Sequence, residues 1–273
     1  HIVRTVSQAE FDADLGLILE KMDQPSIDGV NTWFVSKAAR EAGVKVALSG
    51  LGADEIVAGY PSFTDIPKWT RLLGVPAAVP GAGRTARMVL GALGVRKRSP
   101  KSLGLLEYGA SYPGAYLLRR SVFLPFELDT ILDPELVSEG LAGLRPLQAI
   151  KASMTPQAVS PIARIAALES LNYMRNQLLR DADWAGMAHS VEIRTPFVDI
   201  QLLRDLAPVV PRLGSGRGKR ALGVAPQKPI PTTISERRKT GFGVPTGQWL
   251  RRQSSSKGSA SRAWALEVFA RAQ

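Results

Sequence analysis

The feature that most constrains this chain is the short run Val44-Lys45-Val46-Ala47-Leu48 followed by SGLGADEIVAGY, from Ser49 to Tyr60. A brief apolar run between a helical pattern and a glycine-rich turn reads as a parallel strand of an α/β sheet, buried on both faces. Gly50 and Gly52 permit backbone conformations closed to other residues and let main-chain N–H groups approach a ligand. In open α/β sheets ligands bind at the carboxyl ends of strands, where this turn falls. Ser49 adds a hydroxyl, and Asp54 offers a hard oxygen of the kind Mg2+ prefers. The set suits a nucleotide's phosphates and their metal. It suits a tight strand-to-helix turn with a capping Asp equally well, and the residues alone leave both readings open.

The surroundings support an α/β start and a helical continuation. Ser7-Gln8-Ala9-Glu10 is a capping box, and Phe11, Leu15, Leu17, Ile18 and Met22 follow at helical spacing until Asp23-Gln24-Pro25 stops the helix. A second helix is expected over 32–42, with Gly43 as its C′ residue. Asp54 and Glu55 fall at the start of another short helix. Ile165, Leu168, Leu171, Met174 and Leu178 repeat at helical spacing. Asp199 caps a helix over 200–207. Residues 74–102 read as loop around one short helix, 208–247 as loop-rich, and 254–261 as a flexible connection before a last helix over 262–271. The division expected is an α/β portion over 1–66 and a mainly helical portion over 67–273.

Composition narrows the class. With 273 residues, 45% of them hydrophobic, the chain can bury a sizeable core. It has no cysteine, which excludes disulfides, thiolate metal sites and a cysteine nucleophile within these residues and fits a cytoplasmic protein. No apolar run approaches the roughly 18 residues of a membrane span. No signal-peptide layout precedes the first helix, and the start at His1 reads as that of a fragment or a processed chain. The net charge of +11 favours polyanionic ligands. Arg84, Arg87, Arg96, Lys97, Arg98 and Lys101 form one basic cluster; Arg217, Lys219, Arg220, Arg237, Arg238 and Lys239 form another. Neither interleaves aromatics, which argues against nucleic acid.

Three stretches, in order, carry a resemblance. SGLGADEIVAGY resembles the signature turn of the synthetase domain of glutamine-dependent asparagine synthetases. MAHSVEIRTPFVD, from Met187 to Asp199, resembles that family's E-x-R-x-P-F-x-D segment, and RRKTGFGVPTGQWL, from Arg237 to Leu250, resembles its K-x-G-F-x-x-P segment. Arg262-Ala263-Trp264-Ala265-Leu266 fits the family's usual C-terminal part. The match is weakest over 74–160. The resemblance implies part of a doubly wound parallel sheet, like that of the adenine nucleotide α-hydrolases, followed by a mostly helical subdomain. It implies an ATP- and Mg2+-dependent carbon–nitrogen ligase. A carboxylate such as aspartate attacks the α-phosphate of ATP, and ammonia from a separate glutaminase domain displaces AMP from the acyl-adenylate. No nucleic acid or membrane partner is expected, and a homodimer would be compatible with the family.

Carried over residue by residue, the resemblance gives Ser49, Gly50 and Gly52 to the nucleotide and Asp54 to the metal. Glu55 becomes a second acid beside the substrate pocket, with helix capping as its rival role. Lys239 neutralises the leaving pyrophosphate, with a surface lysine as the rival reading. Glu192 and Arg194 read as a buried ion pair ordering a loop near the site. His189 reads as a packed or loop histidine rather than a general base, Trp33, Phe34 and Trp184 as core or pocket wall, and Asp28 as facing the acceptor pocket. Three departures stand out. The second phosphate loop, S-G-G-x-D-S, and the glutaminase with its cysteine are both absent, so the chain reads as N-terminally truncated and inactive alone. Leu51 replaces a glutamate usual in asparagine-forming members, which points to another acceptor, as in a lactam-forming or related amide ligase. Ala58 replaces a frequent glycine, a change of little weight at φ < 0. The rival from another class is a non-catalytic basic binding module.

Overall fold

The computed structural model describes residues 3–74, 81–93, 100–156, 158–213, 217–237, 243–253 and 260–271. They form a helix-rich α/β protein with one parallel pair of short strands. The chain divides into two compact units: His1–Gly52, Tyr173–Leu202 and Thr232–Gln273 make the first, Ala53–Asn172 and Leu203–Pro231 the second.

The first unit opens with the helix Gln8–Lys21, where Ser7 Oγ accepts from the N–H of Glu10 at 3.2 Å. The other half of the expected capping box does not form. The Glu10 carboxylate instead takes two bonds from Arg4, at 2.5 and 2.7 Å, and one from Lys37 at 2.9 Å. Charged donors outcompete a neutral N–H, and Arg4, with Lys37, holds the Glu10 carboxyl down to about 2. The helix Gly29–Glu41 ends before Gly43, which takes φ +75° as a C′ glycine does. Strand β1, Val46–Leu48, pairs in parallel with strand β2, Glu192–Arg194, in the register Val46 to Glu192 and Leu48 to Arg194. The core joins Phe11, Ile18, Trp33, Phe34, Trp184 and Trp264. Each such side chain, fully buried, contributes about 1.5–3 kcal/mol. Trp264, on the helix Ala260–Arg271, also donates Nε1–H to the carbonyl of Ser26 at 2.6 Å.

Two expectations fail in this unit. β1 is not a buried strand: Leu48 is 77% exposed, because among the described residues β1 has a strand neighbour on one side only. Glu192 and Arg194 do pair, at 2.9 Å, but their side chains are 57% and 62% exposed. Positions two apart on a strand share a face, and here that face meets solvent.

The second unit is helical, and Pro125, Pro134, Pro146 and Pro161 each open a helix, where a missing N–H costs nothing. Its core gathers Phe63, Ile66, Ala115, Tyr116, Ile165 and Leu168. After the helix Pro161–Leu168 the chain widens into a π-helical stretch, Glu169–Leu178, before the helix Leu179–Ala188. A π-turn rotates successive side chains by less than an α-turn. Ile165, Leu168 and Met174 are therefore buried as the spacing predicts, while Leu171 and Leu178 are only partly so. Residues 208–247, expected to be loop-rich, contain the short helices Val210–Leu213, Gly218–Val224 and Thr232–Ser235. The expected connection over 254–261 lies mostly outside the described residues. Among the described residues no helix is long and apolar enough to cross a membrane.

Candidate functional site

The glycine-rich turn leaves β1 by way of Ser49, whose N–H donates to the carbonyl of Arg194 at 2.8 Å and so extends the β1–β2 pairing by one residue. Ser49 Oγ then accepts from the N–H of Leu51 at 3.3 Å, a local turn that fixes the hydroxyl beside Gly50. The two glycines of this turn differ in what the fold asks of them. Gly52 has φ +89°, and a Cβ there would lie 2.8 Å from Val198 Cγ2 and 3.3 Å from the backbone of Phe197. Both conformation and space demand glycine at 52. Gly50 has no positive φ and nothing within 4 Å of where a Cβ would sit. The fold does not require glycine at 50; a ligand approaching the backbone would.

The chain then enters the second unit and the helix Ala53–Ile56. Asp54 and Glu55 both stand in its first turn. The carbonyl of Asp54 accepts from the N–H of Gly59 at 2.8 Å, and a Cβ on Gly59 would fall 2.1 Å from Asp54 Oδ1. Gly59 thus makes room for the Asp54 carboxylate. Just before it, Ala58 is buried with φ +56°, so the substitution noted in the sequence does carry weight. An L-residue in the left-handed region costs about 1–2 kcal/mol.

Glu55 is almost wholly buried. Its Oε1 accepts from the Tyr60 hydroxyl at 3.0 Å, and its Oε2 has no hydrogen-bond partner among the described residues. Burial raises its pKa above the ordinary carboxylate value, and the charges of Asp54 and Glu169 push the same way. Glu169 is also buried, but its oxygens accept from Ser62 Oγ, the Tyr116 hydroxyl and the Arg120 guanidinium, the last at 2.6 and 2.9 Å.

The second unit adds part of the second basic cluster. A Cβ on Gly218 would lie 2.2 Å from the carbonyl oxygen of Val57, so the helix Gly218–Val224 starts hard against the chain just after Ala53–Ile56. Arg217, Lys219 and Arg220 are exposed beside that contact. The readable signal was a lone glycine between two cations. Lys239, with Arg238 and residues 240–242, lies outside the described residues.

Other candidates are absorbed by packing in the first unit. Asp28 Oδ2 accepts from the Tyr173 hydroxyl at 2.7 Å and from Gln177 Nε2 at 2.9 Å. His189 sits edge-on to Trp33 with ring centroids 4.3 Å apart, and burial lowers its pKa. That is a packed histidine, as the sequence suggests. Asp199 Oδ1 accepts from the N–H of Leu202 at 2.8 Å and caps the helix Ile200–Leu206. Asp181, not singled out in the sequence, is buried between Ser26 Oγ at 2.6 Å and Trp184 Nε1 at 3.0 Å, and burial pushes its carboxyl up to about 6.

Among the described residues no group of three or more His, Asp or Glu side chains could hold a metal alone. An ion at Asp54 would share its coordination with ligand phosphates, which is the habit of Mg2+. A single carboxylate at the start of the helix Ala53–Ile56 is a donor of the kind that arrangement uses.

Comparison with known proteins places these residues in a family. The family model for asparagine synthase matches residues 1–265. Asparagine synthetase [glutamine-hydrolyzing] 1 of Bacillus subtilis is 26% identical over 260 residues, covering 93% of this chain and 39% of the relative. Putative asparagine synthetases [glutamine-hydrolyzing] of Mycobacterium bovis and Mycobacterium tuberculosis are 30% identical over 267 residues, covering 92% of this chain and 38% of theirs. The chain therefore spans about two fifths of the length of these relatives. No solved structure matches it significantly. The match across nearly the whole length makes this chain a member of the asparagine synthase family.

Proposed function

We propose that the protein is an ATP-dependent amide-forming ligase of the glutamine-hydrolysing asparagine synthase type, in which this chain supplies part of the nucleotide site. The observation that carries the reading is the contrast within the turn: Gly52 is demanded by the fold, whereas Gly50 has open space where a Cβ would sit and is not demanded by it. In this reading the backbone at Gly50 and Gly52 and the hydroxyl of Ser49 bind phosphate oxygens. Asp54 holds Mg2+ together with those oxygens, and the ion when bound neutralises phosphate charge. A substrate carboxylate attacks the α-phosphorus of ATP, pyrophosphate leaves, and ammonia from a glutaminase domain then displaces AMP from the acyl carbon.

Each step gathers negative charge, so donors and cations aimed at the departing oxygens supply most of the rate. Lys239 takes that task on the strength of the sequence motif. Arg217 and Lys219 add positive charge beside the helix that carries Asp54. Glu55 is the acid proposed beside the substrate. The wider sheet proposed is the doubly wound parallel type, with β1 and β2 as one part of it and helical structure following. A cytoplasmic enzyme, with a homodimer as its assembly, completes the reading.

Leu51 favours a second reading of the acceptor. A leucine can neither ionise nor hydrogen-bond where asparagine-forming members carry glutamate, so the acceptor is a carboxylate in the wider sense: aspartate, or an analogue in a related amidotransferase or lactam-forming ligase. An 18O-labelled carboxylate tests the chemistry. Turnover by the full-length protein should carry one label into AMP, and Lys239→Ala should abolish the transfer. Unlabelled AMP, or product formed with release of ADP, would overturn the proposed route.

A further inference from the structure

The helix Ala82–Ala92, in the second unit, packs the reverse way to an ordinary surface helix. Such a helix turns its long apolar side chains to the core and its polar ones to solvent. Here Met88, Val89 and the capping Leu93 are 58%, 52% and 73% exposed, and Ala92 is exposed with them. Their spacing sets all four on one face. The partly buried positions are Ala82, Gly83, Ala86, Arg87, Leu90 and Gly91, mostly small. Close approach is the reason. A Cβ on Gly83 would lie 2.2 Å from the carbonyl oxygen of Leu106, so the helix rests directly on the helix Pro100–Tyr108. Arg87 pairs with Glu107 and lies over the Phe126 ring, 4.2 Å from its centroid.

The charge beside that face selects what covers it. Between Asp65 and Glu107 the sequence holds no acidic residue, and Glu107 is taken up by Arg87. Arg84 is exposed one turn before Met88, and Arg96, Lys97, Arg98 and Lys101 follow Leu93 in the sequence. An apolar stripe flanked only by cations complements an anionic surface. A stable protein interface buries ~800 Å² on each side, about 20–30 residues, far more than a stripe of four. A bilayer asks less: one helix lying in the headgroup plane, apolar side chains down and cations beside them. We propose that the helix Ala82–Ala92 docks this protein on an anionic lipid surface. Met88, Val89 and Leu93 enter the boundary between headgroups and acyl chains, and Arg84 meets lipid phosphates. The association is peripheral, since among the described residues no helix is long and apolar enough to cross a membrane. It runs against the expectation of no membrane partner and does not rest on the ligase reading.

Co-sedimentation of the full-length protein with lipid vesicles tests it. Vesicles of equal parts phosphatidylcholine and phosphatidylglycerol should bind at least about tenfold more tightly than phosphatidylcholine alone, and added salt should weaken the binding. Met88→Glu and Leu93→Glu each put a carboxylate in the apolar stripe at an exposed position and should weaken binding to the mixed vesicles by about tenfold or more. Arg84→Glu should weaken it about tenfold as well. Leu144→Glu, at an exposed leucine ending the helix Pro134–Leu144, should bind like wild type. Circular dichroism confirms that each variant is folded. No binding to the mixed vesicles, equal binding to phosphatidylcholine alone, or wild-type binding by folded Leu93→Glu protein would each overturn the proposal. So would a wild-type protein that ignores vesicles but changes its oligomeric state on Leu93→Glu, which would assign the face to a protein interface.

Discussion

Residues 169–181 and residues 49–55 both carry a buried carboxylate, yet the fold uses their polar atoms differently. In the first stretch Glu169 is saturated by Ser62, Tyr116 and Arg120, and Asp181 by Ser26 and Trp184. In the second, Glu55 keeps one oxygen without a partner among the described residues, and Gly50 keeps empty space where a side chain would fit. A polar group whose every acceptor is matched by its neighbours is explained by folding. One left open in a native chain is not explained by folding alone.

That contrast can be broken most forcefully at Arg120. Arg120→Met should leave Glu169 buried without its cation and cost about 3–5 kcal/mol, read as a lower denaturant midpoint at unchanged slope. A loss well under 1 kcal/mol would mean that the partners of Glu169 are not structural.

Asp181 gives the next effect, as a pH dependence. Its folded carboxyl is raised from 3.8 to about 6, so the folded state holds the proton more tightly than the unfolded chain. Its contribution to stability is complete below about pH 4 and is lost as pH rises towards 6, a swing of about 3 kcal/mol. Glu10, held low by Arg4, works in the opposite direction, so the readout is a difference. Wild type minus Asp181→Asn should fall across this window in urea titrations at each pH. A flat difference would place Asp181 in a wetter setting than its two hydrogen bonds indicate.

The glycines sharpen the comparison at smaller scale. Gly52→Ala should cost about 2 kcal/mol or more, from a positive φ and the contact with Val198. Gly50→Ala should change stability by less than about 0.5 kcal/mol while weakening ATP binding. Equal destabilisation by the two variants would remove the distinction between a glycine kept for the fold and one kept for a ligand.

Much of the first unit was legible because it rests on local chemistry. The Ser7 cap, the stop near Pro25, Gly43 past its helix and the Asp199 cap each depend on a few adjacent residues. The glycine-rich turn after β1 was legible for the same reason. What escaped depends on distant partners. Glu10 forms half a capping box because Arg4 and Lys37 compete for it. The Glu192–Arg194 pair is exposed because of where β2 lies. Ala58 at φ +56° follows from the tight return of the chain around Asp54, where Gly59 presses on the carboxylate. The π-helical stretch breaks a pattern that the 3.6 period predicts. At the site, the turn could be read from sequence, but the difference between Gly50 and Gly52 and the open oxygen of Glu55 needed three dimensions.

The central claim is that ATP phosphates and a divalent ion bind at the turn Ser49–Asp54. Isotope exchange between labelled pyrophosphate and ATP, run on the full-length protein with its carboxylate substrate, tests it directly. The account predicts exchange that requires Mg2+ and disappears in folded Asp54→Ala protein. Near-normal exchange in that variant would contradict it.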